Sequence, residues 1–394
     1  MLRHFLRQLP ASRRAAWREF YSAAVCPPAR RPAPPARAGL VVAGAVRDQM
    51  LGQAEGARIM AAAAAATGID CWTLDTTQAC RTGEQRPPDG APLVLHANPD
   101  RTATGLLALR RQIGLERRVI GYWAWELGVV PASWKRALRF VHEVWVPSTF
   151  TAKAVKDLLP GDGSIPLRVV PHALAAAPPR PAALDRAAFG LPEDALVVLL
   201  SANLASNFAR KNPLGAIAAF RQAFGSRRDC LLLVKLGGTL DWPADFSLIQ
   251  AAAAEDDRIR IETRSLPAAD NHALTACADI VLSLHRSEGF GLVLAEAMML
   301  GRPVVATGWS GNMDFMDASC AALVAARLVA PADPRGVFNL PGAVWAEPDL
   351  GEAADHLRRL GGSAGLRAAL GASGRERVLT CLTAAPLAEA VGGG

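Results

Sequence analysis

The chain reads as an α/β protein of two domains, each built around a parallel sheet. Its 394 residues, 51% of them hydrophobic, suffice for two cores. Short apolar strands alternate with helical stretches along most of the length, a β-α-β pattern that calls for parallel pairing. Between about residues 273 and 307 that pattern is compressed into one unit. There a helix is followed by the apolar strand Ile280 to Leu284, a glycine turn, a helix carrying Glu296, and a second strand, Pro303 to Ala306.

Residues 1–38 differ in kind from the rest. Leu2, Phe5, Leu6 and Leu9 fall at helical spacing beside Arg3 and Arg7, and Trp17, Phe20 and Tyr21 repeat the pattern beside Arg13, Arg14 and Arg18. Cys26 to Arg37 then reads as a Pro/Arg/Ala linker. Such a basic amphipathic stretch suits peripheral contact with anionic lipid; the alternatives are a helix packed on the body of the protein or a tail.

The first domain is assigned to residues 39–180. It opens with the strand Gly39 to Ala43, a loop through Asp48 and Gly52, an alanine-rich helix closing at Gly68, and a strand near Cys71 to Leu74. Leu93 to Asp100 puts His96 and Asn98 at the carboxyl edge of a strand, and Val119 to Glu126 does the same for Glu126. Trp123 and Trp125 either offer stacking faces to a ligand or belong to the core. Phe140 to Pro147 gives a further strand, and Ala175 to Ala183 reads as the linker to a second domain, residues 181–380, with a tail at 381–394. That domain begins with the apolar strand Leu196 to Ser201, then a loop carrying Arg210 and Lys211, a helix ending near Phe224, and the strand Cys230 to Leu236.

The chemistry concentrates at the glycine turn. Gly289 and Gly291 let the backbone approach a ligand, and the amides of Gly291, Leu292 and Val293 stand at a helix N-terminus, an arrangement that binds phosphate. Glu288 precedes the turn at a strand's carboxyl end, where open α/β sheets bind ligands. Glu296 lies about one and a half turns into the helix, within reach of a ligand hydroxyl. Taken singly, each acid also fits a solvated surface position.

With seven residues between the two glutamates, the run Ser287 to Ala297 resembles the group 1 (family 4) retaining glycosyltransferases of the GT-B fold, whose two Rossmann-like parallel-sheet domains face a cleft. Leu51-Gly52, Ala54 and Arg58 are similar to that family's first-domain loop, and Trp145 to Phe150 to its W-V-P-S-x-F strand. The resemblance implies that Lys211, in a Lys-Asn pair, neutralises a donor diphosphate. The family's partner arginine is replaced by Ser206, leaving Arg210 as the nearest substitute, and the usual G-G-x-x-E loop is replaced by one in which Ser310, Gly311 and Asn312 offer donors to phosphate or sugar. Gly52, His96, Asn98 and Glu126 fall on the acceptor side. The implied reaction moves a hexose, with retention, from a nucleoside-diphosphate sugar to a glycan or lipid-linked glycan. Glu288 orients the donor sugar, and neither metal nor cofactor is expected. Two alternatives share this kind of fold: a non-catalytic nucleotide-sugar-binding or assembly protein, and a nucleotide-sugar 2-epimerase.

The net charge of +7, carried almost wholly by arginine, suits an anionic donor. A nucleic-acid partner is not indicated, since no RNA-binding signature accompanies the charge and only 6% of residues are aromatic. Seven scattered cysteines point to free thiols in a reducing compartment, and neither a secretory signal nor an eighteen-residue apolar run is evident, so a cytoplasmic protein is expected.

Overall fold

The computed structural model describes residues 11–46, 52–77, 86–110, 112–114 and 117–392. Helix α1 (Ala11–Val25) precedes the first domain. The domain follows as β1 (Leu40–Gly44), α2 (Gly52–Ala66), β2 (Cys71–Asp75), β3 (Leu93–His96), α3 (Pro99–Leu109), β4 (Val119–Tyr122), β5 (Glu143–Val146), α4 (Thr149–Lys156) and β6 (Leu167–Val169). Its sheet is parallel throughout, in the order β2-β1-β3-β4-β5-β6. This is a doubly wound order whose direction reverses between β1 and β3, the point beyond the strands' carboxyl ends where such sheets bind ligands.

The second domain runs β7 (Leu196–Asn203), α5 (Phe208–Lys211), α6 (Pro213–Phe224), β8 (Cys230–Gly237), α7 (Pro243–Ala254), β9 (Ile259–Glu262), α8 (Ala268–Ala276), β10 (Ile280–Ser283), α9 (Leu292–Met299), β11 (Val304–Thr307) and β12 (Ala322–Val324). The order β12-β11-β10-β7-β8-β9, counted from β7, is the 3-2-1-4-5-6 arrangement of a Rossmann sheet, with its reversal between β7 and β10. Strands read as near-continuous Val/Leu/Ile runs because helices cover both faces; all four residues of β11 and the first five of β7 are buried. A hairpin, β13 (Ala326–Val329) and β14 (Trp345–Pro348), follows, and α10 (Leu350–Gly361), α11 (Ala364–Cys381) and α12 (Ala385–Gly392) close the chain.

Both ends of the chain return to the first domain. Ser22 and Cys26 are buried, and the stretch read as a linker is laced down instead. The amide of Ala29 donates to Arg139 O (2.8 Å), Arg31 Nη2 to Val141 O (2.7 Å), and the amide of Arg37 to Gly90 O (3.0 Å). Residues 1–10 and the Asp48–Leu51 part of the glycine loop lie outside the described residues. At the other end, Ala384, Leu387 and Ala390 pack among Leu40, Val42, Ala57 and Met60, so the tail completes the first domain's core. No described helix is long and apolar enough to cross a membrane.

Candidate active site

The second sheet's reversal point gathers the polar groups. Beyond β10 the chain turns through His285 to Gly291, whose φ of 97° places it in the left-handed region that favours glycine and lets it start α9 abruptly. Among the described residues no backbone acceptor takes the amides of Gly291, Leu292 and Val293, and they stand at the positive end of α9.

From the neighbouring β7 comes the short α5. Asn207 (φ 79°) caps it by accepting from the Arg210 amide (3.0 Å), and Asn212 (φ 51°) ends it, donates to Leu284 O (3.0 Å) and caps α6. Lys211 sits at this kink with Nζ 2.5 Å from Glu288 Oε1. Arg210 approaches the same oxygen through Nη1 (3.1 Å), which also donates to Ser287 O (2.6 Å). Its Nη2 donates to Ser206 O (2.8 Å) and lies 3.5 Å from Glu126 Oε1, across from the first domain. The arginine side chain is only 3% exposed. The guanidinium therefore reaches back one turn to the Ser206 carbonyl, and it is sealed between two carboxylates. Burial by itself would raise the Glu288 carboxyl, but Lys211 and Arg210 outweigh it and hold the group at about 2. Glu126 is moved upward by burial, opposed by Arg210 and reinforced by Glu288.

The expected donor loop turns its polar groups inward. Ser310 Oγ accepts from the Glu288 amide (2.8 Å), and the Gly311 amide donates to Glu288 O (2.9 Å). The fully buried Asn312 donates to Thr307 O (3.1 Å) and meets His285 Nε2 (3.1 Å). A Cβ on Gly311 would fall 2.3 Å from Gly289 O, so the two glycine-bearing loops interlock only because that side chain is absent. The first domain clasps the same turn. Ser148 Oγ (2.5 Å) and Thr151 Oγ1 (3.2 Å) donate to Gly289 O, and Thr149 bonds Asp314 through its amide (2.6 Å) and hydroxyl (2.5 Å).

The remaining sequence-predicted residues separate. Glu296 faces His272 (3.9 Å); burial raises its carboxyl and the histidine opposes that. Glu126 joins the charged cluster described above. Asn98 is spent on the framework: Oδ1 accepts from Gln53 Nε2 (2.7 Å) and from the Ala124 amide (3.0 Å). His96 is buried against Tyr122, with ring centroids 4.2 Å apart, and burial holds it neutral, well below the usual histidine value. Gly52 opens α2, and among the described residues nothing lies within 4 Å of where a Cβ would stand. Trp123 and Trp125 are core, packed with Trp134.

Sequence reasoning missed four participants. His285, two residues past β10, carried no spacing signal. Asn207, Asp333 and Phe338 meet only in space. Buried Asp333 accepts from Asn207 Nδ2 (2.7 Å), and Phe338 lies between Trp125 (5.4 Å) and the Arg210 guanidinium (5.8 Å).

Two parallel-sheet domains, with carboxylates and cations meeting between them at a sheet reversal and beside a helix N-terminus, define the GT-B class. Residues 197–339, within the second domain, match the family model described as glycosyl transferases group 1. Solved structures agree on the fold. Sucrose-phosphate synthase from Thermosynechococcus elongatus is similar at 17% identity and a TM-score of 0.64, over 91% of this chain and 98% of its own. HepE from Anabaena, in complex with UDP and glucose, follows at 13% and 0.62, over 91% and 99%. WaaG, a glycosyltransferase involved in lipopolysaccharide biosynthesis, gives 18% and 0.56, over 90% and 100%. No curated protein matches the chain by sequence.

Proposed function

We propose that this protein is a retaining, metal-independent glycosyltransferase that moves a hexose from a nucleoside-diphosphate sugar to a glycan or lipid-linked glycan. The observation that carries the reading is the Glu288 carboxylate, largely buried yet ionised between Lys211 and Arg210, at the turn that leads to the free amides starting α9. In the reaction the anomeric C–O bond to the diphosphate breaks, negative charge builds on the leaving oxygens and positive charge on the sugar ring. Lys211 and the amides of Gly291, Leu292 and Val293 stabilise the first, and Glu288 the second. The acceptor oxygen attacks from the face the diphosphate leaves, and its proton passes to the departing phosphate oxygen. Glu296 serves the donor's hydroxyls, while Glu126, which reaches the charged cluster from the first domain, serves the acceptor.

The test is a thermal-shift panel of UDP-, GDP- and ADP-sugars, beginning with UDP-sugars because HepE is seen with UDP, followed by donor hydrolysis with and without EDTA. Slow nucleoside diphosphate release that survives EDTA and drops at least about 100-fold in Glu288→Ala supports the reading. Normal release in a folded Glu288→Ala protein refutes the role given to that residue. A second reading, a nucleotide-sugar binder without turnover, is favoured by one feature: Arg210 is occupied by Glu126, Glu288 and two carbonyls. Stabilisation by a nucleotide sugar without release would establish it.

We also propose peripheral contact of the N-terminal segment with anionic lipid. Phe20 is 67% and Tyr21 52% exposed on α1, which suits such a contact. Vesicle sedimentation unchanged by removing residues 1–10 together with Phe20→Ser and Tyr21→Ser would dispose of it.

A further inference from the structure

The loop that departs from the expected G-G-x-x-E pattern has a partner in the histidine that precedes the catalytic turn. His285 and Asn312 are both wholly buried. Asn312 Nδ2 donates to Thr307 O (3.1 Å), which leaves its Oδ1 facing His285 Nε2 (3.1 Å). That nitrogen must therefore carry the proton, and the bare Nδ1 accepts from Ser283 Oγ (3.1 Å). Burial moves His285 below the usual histidine value, in keeping with a neutral ring that has one donor and one acceptor nitrogen. Asn312 is the second residue of the single helical turn Gly311–Asp314 that follows Ser310, and Ser310 and Gly311 engage both backbone polar groups of Glu288.

We infer that His285, Asn312 and Ser310 form a brace that positions Glu288, and that the Ser-Gly-Asn loop acts on the donor only through that carboxylate. This inference deepens the glycosyltransferase reading and rests on it for its kinetic consequence, though not for its structural one. A carboxylate drawn by two cations from one side needs its main chain fixed from the other, because an error of about 1 Å at a reacting centre costs about 100-fold in rate. The brace supplies this fixation from β10 and β11, the rigid strands of the sheet, by way of side chains that exclude water. The substitution of the loop and the presence of the histidine then explain one another: an asparagine buried here without His285 would leave its carbonyl oxygen only the long contact from Ser310 Oγ (3.5 Å).

Hydrogen exchange on the full chain tests the brace without any donor. Ser310→Ala removes the acceptor of the Glu288 amide, and Asn312→Ala removes the link to His285. Each should speed exchange in a peptide covering residues 286–291 by about tenfold or more, while the melting temperature and the exchange of β8 stay near wild type. Unchanged protection at 286–291 in the folded Ser310→Ala protein overturns the inference, even if Asn312→Ala fails to fold.

Kinetics then separate positioning from simple structural support. With whichever nucleotide sugar the wild type hydrolyses, Asn312→Ala should lower kcat about tenfold or more with KM nearly unchanged. In a Glu288→Gln background it should cost nothing further. A raised KM with kcat intact, or an equal loss in the Glu288→Gln background, overturns the inference. If the wild type hydrolyses no donor, the glycosyltransferase reading fails while the exchange result still decides the brace.

Discussion

A carboxyl group taken out of water ionises only if something nearby favours the charge more than burial opposes it, and at Glu288 two cations do so. Because its folded value of about 2 lies below the ordinary 4.5, the ionised form stabilises the fold fully above about pH 4.5, and that contribution is lost as the pH falls toward 2. The stability difference between wild type and Glu288→Gln, measured by urea unfolding, should accordingly be constant from pH 8 to 5 and shrink below 4.5. Arg210 is the more exposed weakness of the cluster, though the less exposed side chain. Arg210→Ala would leave Glu126 and Glu288 with Lys211 alone and should cost roughly 3–5 kcal/mol in the same experiment, the range for breaking a buried ion pair by removing one partner. Glu288 and Lys211 were legible as separate residues, since each stands in a recognisable local run. Their ion pair was not, because 77 residues separate them and only the adjacency of β7 and β10 joins them.

Between residues and domains, the 330–344 excursion of the β13–β14 hairpin is the element that sequence patterns conceal most. It has neither helical nor strand periodicity, yet Asp333 fixes Asn207 and hence the cap of α5, and Phe338, Ala343 and Trp345 enter the first domain's core. Arg335 pairs with Asp245 and stacks over Trp242 at 3.3 Å, which anchors the excursion to its own domain. Phe338→Ala should destabilise the protein by about 3–5 kcal/mol, the usual cost of emptying a buried phenylalanine site. It should also accelerate exchange at residues 207–211 more than in β8. Equal acceleration in both would deny the excursion its local role. The strands were the easier half: β7, β8, β10 and β11 read from the sequence nearly as they stand, since a sheet covered on both faces demands uninterrupted apolar runs. Their ends shifted by a residue or two, where pairing with neighbours rather than composition sets the limit.

Across the whole molecule, the two domains meet through a clasp of hydroxyls and one carboxylate, in addition to the charged cluster. Thr149 gives both its amide and its hydroxyl to Asp314, so the two side chains form one unit. Thr149→Ala and Asp314→Ala should each lower thermal stability modestly, by about 1–2 kcal/mol, and the double variant should be scarcely worse than Asp314→Ala alone. Full additivity would show that the pair does not hold the domains together. The chain's two ends illustrate the same point at larger scale, since the proline-rich stretch after Cys26 and the last helix both lie on the first domain. By itself the sequence determined two α/β domains with parallel sheets and the turn that bears Glu288, because strand and helix periods and glycine placement act over a few residues; the strand order came from the fold. Only the tertiary structure decided that Arg210 is shut between Glu126 and Glu288, and that Ser310 and Asn312 face inward to His285. Those pairings join positions far apart in the chain, and no local preference of the backbone encodes which sheet edges come to lie face to face.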